Sequence, residues 1–538
     1  MIVVGVGTQS RAVSAAARHA SRWAVLALLC FSLLLIAVDA TVLHIAVPAL
    51  TAALEPSAVE LLWIIDIYSL VVAPLLVTFG TLGDRYGRRR LVLAGYVVFG
   101  LASLSAAFAE TPLALIMSRA FLGVGGAMIM PATLSIIREV FTDRKERAIA
   151  LGVWSAVAAA GAAVGPLVGG VLVEHFWWGA VFLINVPLLI VALPLAVRLL
   201  PPSRNRSGHP WDVLSAVLST LGILALAFGL KEAGYGHMIG RGPALAVALL
   251  GIALLTWFVR RQRRLEYPLL DVALFTRRGF ATGVVCVLLA IFALVGLELL
   301  LAQYLQLVLG LSPLSAGVRM LPLMIAAVAG GLAAAHVLQR IGLRATMSGG
   351  LALTTVSLAP VLTWGVEQSP GMLAVCFIGI GFGVEVALLA ASDTIMAAVP
   401  ESRAGGAASI EETAYELGAG LGIAVLGTIT TMVYAPALGV VPGVPGDLMS
   451  EARESLAAAA HVAVQVGGAP GAALLGAARL AFITALHRTV VVSVILLGLT
   501  ALAAAVFISR EAAAGHCADE PEEPAKSEKS ESSPRPSS

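Results

Sequence analysis

Residues Gly80–Arg90 read GTLGDRYGRRR and fill a short gap between two long apolar stretches. The one aspartate and four arginines of this segment need water or ion pairs, so the segment cannot lie in hydrocarbon. Its three glycines allow sharp turns and close approach of the backbone. The segment therefore predicts a compact charged hinge between two membrane-spanning helices.

The composition of the whole chain agrees with a membrane protein. The chain has 538 residues, of which 59% are hydrophobic and only 12% charged, whereas a soluble domain has about 25% charged residues. The apolar residues form runs of the roughly 20 residues that a helix needs to cross a bilayer. Short alternating segments, which are typical of a membrane β-barrel, are absent from the sequence. The sequence therefore predicts an all-α polytopic membrane protein.

Fourteen apolar windows predict fourteen transmembrane helices in a 6+2+6 arrangement. Without the two weakest windows, 211–231 and 243–260, twelve helices would remain. The windows lie near residues 23–50, 60–80, 91–110, 112–137, 148–173, 178–199, 211–231, 243–260, 280–309, 313–339, 345–366, 370–399, 404–434 and 484–508.

The positive charges predict the orientation. With the N-terminus inside, 27 of the 34 lysines and arginines fall in inside segments, five in outside segments and two within spans. Cytoplasmic loops carry such an excess of Lys and Arg. Both termini are therefore predicted to be cytoplasmic.

These windows divide the chain into five parts. They are a flexible cytoplasmic leader (1–22), an N-terminal six-helix bundle (23–199), two inserted helices with a cytoplasmic linker (200–278), a C-terminal six-helix bundle (279–508) and a disordered polar tail (509–538). The C-terminal bundle includes a predicted outside loop at residues 435–483, in which residues 447–466 form either an amphipathic surface helix or a solvated helix.

The loop after the tenth window, AHVLQRIGLR, suggests a repeat of the hinge. Aligning Gly342 with Gly87 places Arg344 at the position of Arg89. Two bundles related by an axis along the membrane normal would have equivalent loops at these points.

Several kinds of chemistry are not indicated. The four cysteines show no pair spacing, so neither a disulfide framework nor a metal site is predicted. No phosphate-binding G-x-x-x-x-G-K-[ST] motif occurs. We therefore expect no cofactor and no ATP use.

The hinge segment resembles the signature loop between the second and third spans of the major facilitator superfamily. The resemblance implies a gating role, in which Asp84 with Arg85 and Arg88 latches the inner gate closed in the outward-facing state. The matched positions are Gly80, Leu82, Asp84, Arg85, Gly87, Arg88 and Arg89.

The fifth window contains the run GAAVGPLVGG. Small residues let helices pack closely, and proline removes a backbone donor, so the run indicates either ordinary close packing or a pliable gate. It resembles the motif that distinguishes antiporting exporters within the same superfamily, which favours the gate. The motif residues are Gly161, Gly165, Pro166, Gly169 and Gly170.

Two charged residues stand inside apolar windows in the first bundle. Asp39 lies in LIAVDATVLHIAVPAL and Arg119 in LIMSRAFLGVGGA. An arginine at this depth costs at least ~2.5 kcal/mol unless it faces a cavity or an acid. At 1.5 Å per residue both side chains fall in the outer half of the membrane, and these depths allow them to interact.

Both segments resemble motifs of fourteen-span drug exporters. The first-span match includes Asp39, while His44 stands where asparagine is usual. His44 is interpreted either as a proton relay or as a hydrogen-bonded packing histidine. The spacing from Arg119 to Gly123 resembles the fourth-span motif, which implies proton coupling, although Leu122 replaces its usual glutamine.

The second window holds Asp66, with Trp63 three residues earlier. A buried acid near an aromatic ring can hold an organic cation through charge and cation–π attraction. The alternative is a wetted structural acid near the outer surface, and the resemblance favours the cation site.

The thirteenth window contains GAASIEETAYELGAGLG, with acids at Glu411, Glu412 and Glu416. Glu412 and Glu416 are four residues apart and share one helix face. Two carboxylates in a low dielectric cannot both ionise cheaply, so one can hold a proton until a cation displaces it. The segment resembles a run in quaternary-ammonium and dye exporters. Glu411 either faces elsewhere or pairs with Arg403. Secondary candidates are Glu298, Glu385 and Asp393.

The resemblance covers residues 24–508 and implies an antiporter of the fourteen-span drug:proton branch, in a bacterial cytoplasmic membrane. In this hypothesis two six-helix halves rock around a midplane cavity, and lipophilic cations displace protons from buried acids. The expected proton-coupling and substrate-binding residues are Asp39, Asp66, Arg119, Glu412 and Glu416. We expect a monomer among membrane lipids that binds no nucleic acid.

Two other functions stay open. One is export of a single metabolite or a self-made antibiotic, and the other is a membrane receptor or scaffold without transport. An enzyme is not predicted, since no set of nucleophile, metal ligands or phosphate cradle stands out in the sequence.

Overall fold

The computed structural model describes residues 6–201, 212–235, 240–266, 268–270, 272–399 and 404–508. All regular elements in these ranges are helices. The first half contains α1 (Val6–Leu54), α2 (Ala58–Tyr86), α3 (Arg88–Ala107), α4 (Pro112–Val140), α5 (Arg144–His175), α6 (Ala180–Leu183) and α7 (Asn185–Leu199). The two helices that were predicted to form an insert follow, α8 (Val213–Tyr235) and α9 (Arg241–Gln262); they are called the insert below.

The second half begins with α10 (Arg278–Gln303), which continues through a π-helical turn at Tyr304–Val308. Its other elements are α11 (Pro313–Leu358), α12 (Pro370–Ala397), α13 (Ala404–Ala437), α14 (Gly446–Ala452), α15 (Leu456–Val466) and α16 (Gly468–Phe507). Short 3₁₀ turns cover Val272–Thr276 and Ala359–Thr363. The predicted tail, Arg403 and residues 202–211 lie outside the described residues.

The predicted windows coincide with these helices. Twelve helices among the described residues are long and apolar enough to cross a membrane. Two more windows correspond to α5 and α8, whose apolar parts are shorter, at Val164–His175 and Val213–Gly229. The all-helical membrane fold is thus confirmed, while the count of fourteen and the side of each terminus stay predictions.

The two glycines aligned in the sequence adopt related backbone conformations. Gly87 separates α2 from α3 with φ 103°, and Gly342 interrupts α11 with φ 79°. Residues with a Cβ rarely adopt positive φ, so glycine suits both turns. α11 therefore consists of two spans joined at Gly342, as the two separate windows predicted.

Short polar side chains start several helices. Ser57 and Glu60 form a reciprocal capping box at the start of α2. Thr111, Ser312 and Ser369 each accept a backbone N–H at the start of α4, α11 and α12, and a proline follows each cap. Such caps satisfy backbone donors that have no partner inside the helix.

The inserted helices pack against the seam between the halves. α8 contacts both α2 of the first half and α13 of the second. Ile223 and Ala227 form a small buried cluster with Leu70, and the Trp63 ring lies 6.0 Å from that of Phe228. Trp63 therefore contacts the insert, which the sequence pattern of the second window did not suggest.

The structure differs from the sequence-based expectation at two places. α1 begins at Val6, so most of the predicted flexible leader is helical, in keeping with its alanine-rich sequence. In the predicted outside loop 435–483, α14 and α15 occupy the segment 447–466 that was expected to be helical, whereas the helical start of α16 was not expected. Ser455 caps α15, and α16 is 40 residues long, so at about 1.5 Å per residue it extends beyond a bilayer core of about 30 Å.

Candidate functional site

The charged pair predicted from the sequence is present in the structure. Arg119 Nη1 on α4 lies 3.1 Å from Asp39 Oδ2 on α1, and the two side chains are 1% and 0% exposed. A buried charge requires an opposite charge and hydrogen bonds to be tolerated. This pair meets the first of these requirements.

The other donors of Arg119 reach the backbone of α2. Its Nε donates to Ile64 O and its Nη2 to Ile65 O, each at 3.1 Å. The guanidinium also lies 5.1 Å from the centre of the Tyr68 ring. Gly123 makes this approach feasible, because a Cβ there would come within 2.8 Å of Tyr68 O. The Arg-x-x-x-Gly spacing thus has a geometric reason.

Asn185, at the start of α7, also hydrogen bonds to Asp39, and the sequence analysis missed it. Its Nδ2 donates to Asp39 Oδ1 at 2.9 Å and to Ser103 Oγ at 3.2 Å. Both oxygens of Asp39 therefore accept a hydrogen bond. An asparagine within the apolar run VFLINVPLLI could have indicated such a polar helix–helix contact.

The acids of α13 face the same region from the second half. Glu416 is buried and its side chain hydrogen bonds to Ser69 of α2. Tyr68 interacts electrostatically with Glu416, Asp39, Arg119 and Glu412. Groups from both halves thus surround one buried tyrosine, whose Oη has no hydrogen-bond partner among the described residues.

Asp66 is also fully buried, on α2. It interacts electrostatically with Arg119, and its burial argues against an acid in contact with water. The structure therefore brings together all five residues that the sequence predicted for proton coupling and substrate binding. Their roles stay predictions.

The secondary candidates are more dispersed. Glu411 is half-buried and hydrogen bonds to Ser392. Glu385 is half-buried beside Gly331, and Asp393 is exposed. Asp393 lies near the end of α12 and is not part of the group of buried acids around Tyr68.

The glycine motif of α5 lies between two neighbouring helices. Added Cβ atoms at Gly161 and Gly169 would lie 2.8 Å from Ala37 Cβ and 2.7 Å from Val42 O of α1. A Cβ at Gly170 would lie 2.8 Å from Leu314 Cα of α11. The motif thus joins the helix of Asp39 to the second half through direct backbone contact.

Besides the hydrogen bond between Glu416 and Ser69, two polar contacts join the halves at their predicted outer ends. Gln306 Nε2 donates to Ile45 O at 3.1 Å, and Leu314 N donates to Glu174 Oε2 at 3.0 Å. In the hinge, Arg88 Nη1 donates to Ser135 O at 3.1 Å and approaches Glu139 of α4. The described side chain of the predicted inner latch therefore contacts its own half, and the side chains of Asp84 and Arg85 lie outside the described part of the structure.

Comparison with known proteins agrees with this architecture. Residues 29–423 match the family described as Major Facilitator Superfamily. The chain is 43% identical over 466 residues to the methyl viologen resistance protein SmvA of Salmonella typhimurium, covering 86% of this chain and 93% of that protein. It is 42% identical over 475 residues to the multidrug efflux pump LfrA of Mycolicibacterium smegmatis, covering 88% and 94%.

A solved structure shares the fold. The inward-facing, unoccupied structure of a bacterial homologue of the human lysosomal transporter Spinster matches with a TM-score of 0.63, covering 90% of this chain and 98% of that one. The sequence identity of 18% limits this likeness to the fold.

Proposed function

This chain belongs to the Major Facilitator Superfamily, and from that premise we propose that it is a proton-driven exporter of lipophilic, mainly cationic small molecules. It is a multi-pass membrane protein whose relatives are bacterial, in keeping with a bacterial cytoplasmic membrane. The relatives named for methyl viologen resistance and multidrug efflux support export of such compounds. Quaternary ammonium compounds and intercalating dyes are the substrate class that we propose.

The observation that carries the proposal is a difference in charge balance around Tyr68. Asp39 is neutralised by Arg119, whereas no basic side chain among the described residues pairs with Glu412 or Glu416. A carboxylate in a low dielectric is stable only when it binds a proton or lies beside a cation. A site that can hold either one, but not both, exchanges protons for cations.

The helix contacts support a rocking motion of the halves. Gly169 and Gly170 of α5 allow close contact with α1 and α11, so a shift of α5 would displace the helix that holds Asp39. The proposed gating residues are those of the hinge and of the α5 motif. The outer ends are in contact here, and the hinge would latch the inner ends in the opposite state.

A transport assay in proteoliposomes tests the proposal. We expect a proton gradient to drive ethidium and methyl viologen transport, and an uncoupler to abolish it. Glu416→Gln and Asp39→Asn should each lower the driven rate by about tenfold or more, the scale of a lost coupling. Glu367→Gln, which changes an exposed acid, should transport like the wild type.

Each alternative function has its own outcome in this assay. Unchanged transport in both site variants would refute the site. Transport of a neutral metabolite without transport of dyes would favour a specific exporter, and absence of any proton flux would favour a receptor or scaffold. We further infer that the chain is not an enzyme and acts as a monomer without a cofactor.

A further inference from the structure

His44 of α1 and Glu298 of α10 face each other across the seam between the two halves. His44 Nδ1 lies 3.9 Å from Glu298 Oε1, and the side chains are 1% and 8% exposed. Among the described residues, His44 Nδ1 has no hydrogen-bond partner. A buried polar atom of this kind is rare and needs a physical explanation.

The number of protons on the pair decides whether the contact is attractive. At 3.9 Å the atoms are beyond the range of a hydrogen bond, so any attraction is ionic. One added proton gives an imidazolium beside a carboxylate, which attract strongly in a buried environment. Without that proton, a neutral ring faces a carboxylate that has no other basic partner among the described residues.

Other titratable groups surround this pair without neutralising it. From α13, Tyr415 interacts electrostatically with Glu298 and with Glu412 and Glu416. Glu385 of α12 also interacts with Tyr415. On the first half, Asp39 and Arg119 are paired with each other. Among the described residues, His44 is therefore the basic group that faces Glu298.

The pair lies where the halves must separate. The residue after His44, Ile45, accepts the hydrogen bond from Gln306 that joins α1 to the end of α10. α10 runs outward, and at about 1.5 Å per residue Glu298 is about 30 Å from its inner end. Opening of the outer side would thus break the contact between His44 and Glu298.

We propose that His44 and Glu298 form a proton-held clasp that keeps the outer side closed. The pair takes up one proton from the outside water as the outer ends come together, and it loses that proton to the inside before they open again. The clasp depends on the proposed antiport function, and it supplies the coupling that antiport requires. A carrier loaded with protons must close its outer side to return them.

Distance measurements between spin labels test the clasp. Cysteines replacing Glu110 and Val366, which are exposed near the predicted outer ends of the two halves, carry the labels in a Cys517→Ser background. We expect the wild type in lipid nanodiscs to shift toward the closed outer side on acidification from about pH 8.5 to 5.5, which spans the titration of histidine. His44→Asn and Glu298→Gln should each reduce this shift by about threefold or more, and the double variant should reduce it no further.

Gln306→Ala is the matched control, because it removes a neutral contact at the same seam. It should change the free energy of closing by the same amount at every pH. His44→Gln, which is closer to histidine in volume, should behave like His44→Asn and so separates loss of charge from loss of packing. The clasp is refuted if His44→Asn and Glu298→Gln keep the wild-type pH response, or if they act equally at all pH values as Gln306→Ala does.

The two proposals fail in different ways. Without proton-driven transport in proteoliposomes the proposed function fails, even if the pH response of the outer distance depends on His44. Transport that is driven by protons and a pH response that is independent of His44 would remove the clasp alone.

Discussion

The two halves of the transporter differ in whether a buried acid has a basic partner. In the first half, Asp39 has an arginine at 3.1 Å and an asparagine at 2.9 Å. In the second half, no described residue of that half gives Glu412 or Glu416 a basic partner. Asp39 thus has a fixed counter-charge, and the lack of one at Glu412 and Glu416 supports the proposal that these acids bind protons or cations.

The largest expected effect comes from breaking the pair of Asp39 and Arg119. Arg119→Ala leaves Asp39 buried without its counter-charge, which should lower the free energy of unfolding by about 3–5 kcal/mol. Glu416→Gln should leave the free energy of unfolding unchanged or raise it, because the acid has no basic partner to lose. Thermal unfolding in detergent measures both.

An exposed arginine provides the control for this comparison. Arg90→Ala removes a positive charge from an exposed side chain and should have little effect on thermal unfolding. Equal destabilisation by Arg119→Ala and Glu416→Gln would show that the halves do not differ as we describe.

The next effect sharpens the account of Asn185. Asn185→Ala removes one hydrogen bond to a carboxylate, which should cost about 1.5–3 kcal/mol of stability. In an Asp39→Asn background the same change should cost less, since the charged acceptor is gone. A full cost in both backgrounds would mean that Asn185 stabilises the fold through Ser103 or packing instead.

A smaller effect is expected at the close contact between α5 and α1. Gly169→Ala places a Cβ 2.7 Å from Val42 O, and such overpacking should cost about 1–3 kcal/mol. Gly349→Ala is the control, because its Cβ would meet no atom within 4 Å. Unfolding temperatures that fall equally in both variants would contradict close contact between α5 and α1.

The smallest effect concerns the insert, which belongs to neither half. Asp212, just before α8, accepts hydrogen bonds from Arg261 Nε and Nη2 at 3.1 and 3.0 Å. Burial alone would raise the pKa of Asp212, but the hydrogen bonds from Arg261 and Ser215 outweigh it and lower the pKa. The contribution to stability is therefore present at neutral pH and lost as the pH falls below about 4, the usual range of aspartate.

Because the ion pair is partly exposed, Asp212→Asn should cost less than about 1 kcal/mol at neutral pH. Hydrogen exchange of the α8–α9 hairpin measures this difference. The variant and the wild type should become equal in acid, and a difference that persists there would assign the effect to packing.

The sequence predicted the helices, the hinge glycines and the contact between Asp39 and Arg119. The hinge glycine Gly87 and its counterpart Gly342 were found because a turn between spans demands charge and an unusual φ. Asp39 and Arg119 were found because a charge in an apolar window needs a partner. Asn185 was missed because a single neutral side chain leaves no periodic signal, and the helical start of α16 was missed because glycine and proline nearby suggested a loop.

By itself, the sequence determined that this protein is a helical membrane protein with a charged hinge and with acids inside apolar spans, since hydrocarbon excludes charge and forces every long apolar run into a helix. The expectation of transport came from the resemblance of its motifs to those of a known family. Only the tertiary structure decided that Asn185 joins Asp39, that His44 meets Glu298, and that the insert lies against the α2–α13 seam. These contacts join residues far apart in the chain, and packing of whole helices brings them together. No local pattern of residues encodes which faces will meet.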